Sequence, residues 1–140
     1  MIIETEQFVK QRLKNDVSGH DWHHIDRVRK ACLYICKQEK KGNPFIIEMA
    51  ALLHDIADVK LNASKEKGLR DLDNFLQTQR ITAEDKQHIL AVIESVSFNG
   101  GHGISPITIE AKIVQDGDSW MQLGQLALLE LLLMEEVRDK

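Results

Sequence analysis

This chain has few of the residues that make segmented or stapled proteins. Two prolines and 8 glycines in 140 residues leave little room for a long linker or a low-complexity segment, and no internal repeat is visible. The only two cysteines, Cys32 and Cys36, are too few for a disulfide scaffold or a closed structural zinc site. Four apart on one face of a helical pattern, they would form a strained disulfide, so two reduced, partly buried thiols are expected. Positive charge is also scarce. With 18 Lys and Arg against 22 Asp and Glu, the net charge is −4 and the pI is near 5.8. That balance argues against a general binder of nucleic-acid polymers, but not against a nucleotide, because a bound cation can supply local positive charge. No apolar run reaches the ~18–20 residues of a membrane span, and the acidic start Met1-Ile2-Ile3-Glu4-Thr5-Glu6 lacks the plan of a signal peptide. The default reading is one cytoplasmic domain over residues 1–140, 43% hydrophobic and 29% charged, with an ordinary globular core.

Every long periodic segment reads as helix. Ile3, Phe8, Val9 and Leu13 share a face over residues 3–14. Ile25, Val28, Ala31, Cys32, Ile35 and Cys36 do so over residues 23–40, a helix closed by Gly42-Asn43-Pro44. Residues 45–58 are apolar nearly all round, the pattern of a buried central helix. Residues 60–67 read as a polar connection, followed by a helix over 68–79 and another opened by Thr82 with Glu84 and Asp85 in its first turn. A short helix over 109–115 and a long one over 119–138 complete the set. No useful strand alternation is found. The predicted fold is all-α, a compact bundle of about six to seven helices.

Three clusters of metal-ligand residue types punctuate this pattern. His54 and Asp55 close the apolar run Phe45-Ile46-Ile47-Glu48-Met49-Ala50-Ala51-Leu52-Leu53. A buried imidazole and carboxylate there need a cation or an equally demanding hydrogen-bond network. Upstream, three of the six histidines lie within five positions, in Gly19-His20-Asp21-Trp22-His23-His24-Ile25-Asp26-Arg27-Val28. Downstream, Ile113-Val114-Gln115-Asp116-Gly117-Asp118 places two carboxylates between two predicted helices. The order is His, His-Asp, Asp, each at a helix end or first turn.

This order resembles the HD-domain superfamily of metal-dependent phosphohydrolases, most closely its small bacterial single-domain members. His24-Ile25-Asp26-Arg27-Val28 matches the first motif, Leu52-Leu53-His54-Asp55-Ile56-Ala57-Asp58 the central one, and Val114-Gln115-Asp116-Gly117-Asp118 the final aspartate motif. The resemblance implies His24, His54, Asp55 and Asp118 as metal ligands, with Asp116 the alternative to Asp118. Two imidazoles and two carboxylates suit a divalent transition metal such as Mn²⁺, Fe²⁺ or Ni²⁺, or Mg²⁺, better than structural zinc.

Asp58, three residues beyond Asp55, is a candidate general base acting with Asp55 on a water. His20, Arg27 and Lys60 are candidates for contact with substrate, and Lys65, Lys67 and Arg70 add charge nearby. The implied partner is a small phosphorylated substrate, a nucleotide or related ester. A metal- and nucleotide-binding module without turnover is the rival enzyme-free reading, and a purely structural helical protein the third.

After the final aspartate the family's Arg-Leu-Asp-Ala is replaced by Ser119-Trp120-Met121-Gln122, and the helical region beyond is read as shortened. There Leu126, Leu128, Leu129, Leu131, Leu132 and Leu133 form a band wider than one stripe. Burying it adds about 1.5–3 kcal/mol per fully buried leucine, and exposing it invites association. This C-terminal helix is therefore expected either to pack over the helices that carry the His and Asp clusters or to form a homodimer contact, the dimer being favoured. Sedimentation at high micromolar concentration checks it: a strict monomer rejects the dimer, and an unchanged Leu129→Asp stability would reject core packing as well.

Overall fold

The computed structural model describes residues 1–14, 22–57, 65–97 and 108–121. Helix α1 spans Ile2–Leu13, α2 Trp22–Glu39 and α3 Pro44–Leu53. A 3₁₀ turn, His54–Ala57, continues α3. Helix α4 spans Lys65–Gln77 and α5 Ala83–Ser97, and the described part of α6 covers residues 109–121. No strand occurs among the described residues, and no helix among them is long and apolar enough to cross a membrane. The fold is all-α, as the periodicity predicts. His20, Asp58, Lys60 and the leucine band of residues 126–133 lie outside the described residues.

The core is built around α3. Ile46, Ile47, Met49, Ala50, Ala51, Leu52 and Leu53 are all fully buried, because α2, α5 and α1 each pack on a different side of this helix. Removing one of its large side chains, as in Leu52→Ala, typically costs about 2–5 kcal/mol. Helix α3 starts where the chain chemistry allows it. Pro44 opens the first turn, and Asn43 Oδ1 accepts from the Phe45 N–H at 3.0 Å. Gly42 sits in the left-handed region with φ +91°, where a Cβ would also lie only 3.1 Å from Ile47 Cδ1. Thr82 caps α5 through the Asp85 N–H, and Thr108 caps α6 through the Ala111 N–H.

Helix α2 is held against its neighbours by charge. Arg29 is only 13% exposed and meets Glu6 of α1 at 2.5 Å and Glu48 of α3 at 3.5 Å, with Asp26 on its other nitrogen. Burial works against the charged Asp26, but Arg29 and Lys30 outweigh it and hold the carboxyl below its usual range. Trp22, at the start of α2, has both the Lys10 ammonium and the Arg29 guanidinium over its ring. These contacts fix the turn of α2 that carries His24.

Three predicted boundaries are corrected. The central α-helix stops at Leu53 rather than at 58, because the chain tightens into the 3₁₀ turn. Residues 65–67, read as connection, are the first turn of α4. The gap predicted around Asp116-Gly117-Asp118 is uninterrupted helix. Gly117 reads as a breaker, yet its role is packing: a Cβ there would stand 2.4 Å from Cys32 Sγ and 3.2 Å from the Cys32 backbone nitrogen. Cys32 Sγ in turn approaches Val114 O at 3.9 Å, so α6 rests on α2 with nothing between them. Both cysteines are free and buried, and burial, followed by the charges of Asp118 and Asp116, pushes the Cys32 thiol far up.

This contact carries a prediction. In a free helix, Gly→Ala stabilises by about 1 kcal/mol, but here overpacking costs about 1–3 kcal/mol. Gly117→Ala should therefore lower the Tm, and adding Cys32→Ala should recover part of the loss. Thermal unfolding of the two single variants and the double variant checks the cycle. A Gly117→Ala protein that melts higher than the parent would contradict it.

Candidate metal centre

Four of the side chains singled out by the motifs come together where α2, the end of α3 and α6 meet. His54, the first residue of the 3₁₀ turn, is 3% exposed. Its Nδ1 lies 2.9 Å from Ala51 O, one turn back. That geometry puts the Nδ1 proton on the carbonyl and turns Nε2 outward, a backbone anchor of the kind that orients metal-binding imidazoles. Nε2 then faces Asp55 Oδ1 at 3.1 Å and Asp118 Oδ1 at 3.5 Å. His24 Nε2 approaches the other Asp55 oxygen at 3.8 Å. The Asp55 carboxylate thus stands between the two imidazoles, and Asp118 reaches in from α6.

Helix geometry explains who points inward. His24 lies in the first turn of α2, between Trp22 and the fully buried Ile25 and Val28. His23, one position earlier, is exposed, as the ~100° step per residue requires. On α6 the buried stripe runs through Ala111, Val114, Gly117 and Met121, which brings Asp118 to the edge of the interface. No approach of Asp116 to His24, His54 or Asp55 occurs among the described residues, so Asp118 is the aspartate that faces the cluster. Arg27, three residues beyond His24, is half-buried. Its Nε is buried with no hydrogen-bond partner among the described residues. Lys67 and Arg70 are exposed on α4.

The electrostatics follow from this placement. Burial disfavours a charged His54, but Asp55 and then Asp118 more than offset it, raising the imidazole from 6.5 to about 9. Two carboxylates packed on one imidazole nitrogen demand a positive charge at that spot. A proton meets the demand in the bare protein, and a divalent cation meets it with twice the charge. The donor set of two imidazole nitrogens and two carboxylates, with the His54 tautomer already chosen, fits a divalent transition metal. As they stand the groups lie in mutual contact, and among the described residues no three are already arranged as a cage. Holding an ion would require them to part around it.

Sequence reasoning missed a second polar cluster. Glu110, in the first turn of α6 and buried, pairs with His88 of α5 at 3.2 Å and accepts from the Asn43 N–H at 2.9 Å. Only the short helix that carries it was read beforehand; its partners come from distant parts of the chain.

The HD domain family matches residues 21–120, a span that holds all four clustered side chains. The chain belongs to the HD-domain family. It is 34% identical over 123 residues to the uncharacterized Bacillus subtilis protein YpgQ, covering 86% of this chain and 60% of that protein. An HD-superfamily hydrolase from Bacillus thuringiensis superposes with a TM-score of 0.74 at 39% identity, over 98% of this chain and 65% of that one. YpgQ solved in complex with ADP superposes with a TM-score of 0.72 at 30% identity, over 99% of this chain and 69% of that one. The chain therefore spans about 60% of the length of the curated relative it matches.

The raised His54 value sets the pH dependence of the metal-free protein. A group whose folded pKa is raised stabilises fully below its unfolded value and loses that contribution as pH rises through the folded one. Chelator-treated protein should thus lose stability between about pH 6.5 and about 9, on the order of 3 kcal/mol at most. Tm measured across that range checks it, and His54→Gln should flatten the curve. A parent Tm that climbs with pH over this window would refute the assignment.

Proposed function

We propose that this chain is a divalent-metal-dependent phosphohydrolase acting on a nucleotide or another small phosphate ester. The observation that carries the reading is the His54 Nε2 atom, aimed by Ala51 O at Asp55 and Asp118 with His24 behind them. His24, His54, Asp55 and Asp118 would hold the ion, with Mn²⁺, Fe²⁺ or Ni²⁺ preferred and Mg²⁺ possible. When bound, such an ion supplies Lewis-acid charge and an acidified water.

The remaining roles belong to the protein. Ala51 O keeps the Nδ1 proton of His54 and so leaves Nε2 as the ligand atom. Asp55 has two oxygens turned to different partners, which lets one carboxylate hold an ion and orient a water. Asp58 is proposed as the group that takes a proton from that water. Arg27, with a buried Nε, His20 and Lys60 are proposed to meet the phosphate. Phosphoryl transfer needs chiefly positioning and charge neutralisation, and this collection supplies both. The ADP complex of YpgQ supports a nucleotide as the substrate class. A binding module that holds metal and nucleotide without turnover is the second reading, and one assay separates the two.

That assay is hydrolysis of an aryl phosphate and a nucleotide panel with Mn²⁺, Ni²⁺, Mg²⁺ or chelator, alongside metal content by elemental analysis. We expect metal-dependent phosphate or pyrophosphate release that chelator abolishes. Asp55→Ala should lower metal affinity by more than about 100-fold and remove activity with it, while Cys36→Ser leaves both largely intact. Metal and nucleotide binding without turnover would favour the binding module, and full activity in Asp55→Ala would defeat the proposal.

A further inference from the structure

The centre draws its ligands from three helices, and one of them is held in an unusual way. His54 and Asp55 follow directly from the buried α3, and His24 sits on a helix tied down by Arg29. Asp118 instead depends on how α6 is placed along and around its own axis. A shift of one residue would move it by ~1.5 Å and turn it by ~100°, enough to take its carboxylate away from His54. Apolar contacts alone are a poor register device, because Ala111, Ile113, Val114 and Met121 are all buried and one aliphatic group can stand in for another.

Besides the long 3.5 Å bond from Gln115 Nε2 to Ser95 O of α5, two contacts of α6 stand out among the described residues. One is the close approach of Gly117 to Cys32. The other is Glu110, whose Oε2 accepts from the Asn43 N–H at 2.9 Å and whose Oε1 faces His88 Nε2 at 3.2 Å. Asn43 is the N-cap of α3, the helix whose far end presents His54 and Asp55. One buried carboxylate thus ties the start of α6 to the start of α3 and to α5. The two helices then run on from that shared point until Asp118 meets His54, about 12 Å further along α6.

We propose that Glu110 is a positioning residue, which sets the register of α6 through Asn43 and His88 and so delivers Asp118 to the metal centre. It touches neither metal nor substrate. The proposal rests on the metal-centre reading, and its test is built to tell the two apart.

The test is calorimetric titration of the chelator-treated, full-length chain with Mn²⁺, well below each variant's Tm, together with the visible spectrum of the Co²⁺-loaded protein. Glu110→Ala should weaken Mn²⁺ affinity by about tenfold or more and change the Co²⁺ band. Glu110→Gln keeps an oxygen for the Asn43 N–H and should recover most of the affinity. His88→Ala, which leaves the Asn43 bond standing, provides the same readout should Glu110→Ala not fold, with a smaller loss expected. Asp71→Ala breaks the 3.2 Å ion pair between α4 and Arg12 of α1 and should leave Mn²⁺ affinity unchanged. Parent-like affinity and spectrum in Glu110→Ala, or an equal loss in Asp71→Ala, would overturn the positioning role while leaving the metal centre intact. A parent protein that binds no metal would overturn the metal-centre reading, and this proposal with it.

Discussion

An imidazole buried against two carboxylates is the constraint around which this molecule is arranged. His54 stands at the end of the most apolar helix among the described residues, where any charge is costly to desolvate. Asp55 and Asp118 make the same spot require a positive charge, and they prevail. The result is a position where a positive charge neutralises the carboxylates around it, a proton on His54 in the bare protein and, on the proposed reading, a divalent cation. The His54 side chain is itself only 3% exposed, so little of the field of the carboxylates is screened by water. The backbone bond from Nδ1 to Ala51 leaves a single nitrogen to answer the field.

The rest of the fold serves that position. Arg29, between Glu6 and Glu48, anchors the helix that carries His24. The contact between Gly117 and Cys32 brings α6 so close to α2 that Asp118 reaches His54. Such polar and steric contacts are more exacting than hydrophobic burial, which is non-directional. Burial makes the bundle stable, and the specific contacts decide where four side chains meet. Membership of the HD-domain family and the likeness to an HD-superfamily hydrolase agree with the all-α bundle.

Much of the architecture was legible in the order of residues because its signals are local. Apolar spacing gave away α1, α2, α3 and α5, and Thr82 with Glu84 and Asp85 marked the start of α5 through chemistry confined to one turn. The three motifs were visible for the same reason, since each is a run of neighbouring residues. What could not be read depends on tertiary approach. Gly117 has the look of a helix break, and only the presence of Cys32 a fraction of a bond length too near explains a glycine in mid-helix. Glu110 looks like an ordinary first-turn acid, and its importance lies in Asn43 and His88, which are 67 and 22 positions away. The end of α3 was misjudged because a 3₁₀ turn and an α-helix share the same apolar pattern over four residues.

The central claim is that the carboxylates of Asp55 and Asp118 hold either a proton on His54 or a divalent cation, not both. Metal binding to such a site must expel the proton. Titrating chelator-treated protein with Mn²⁺ at pH 7.5, in buffers of different ionisation enthalpy, measures this directly. The account predicts about one proton released per Mn²⁺ bound, with the release absent in His54→Gln. Tight Mn²⁺ binding with no proton release, or no stoichiometric binding, would contradict it.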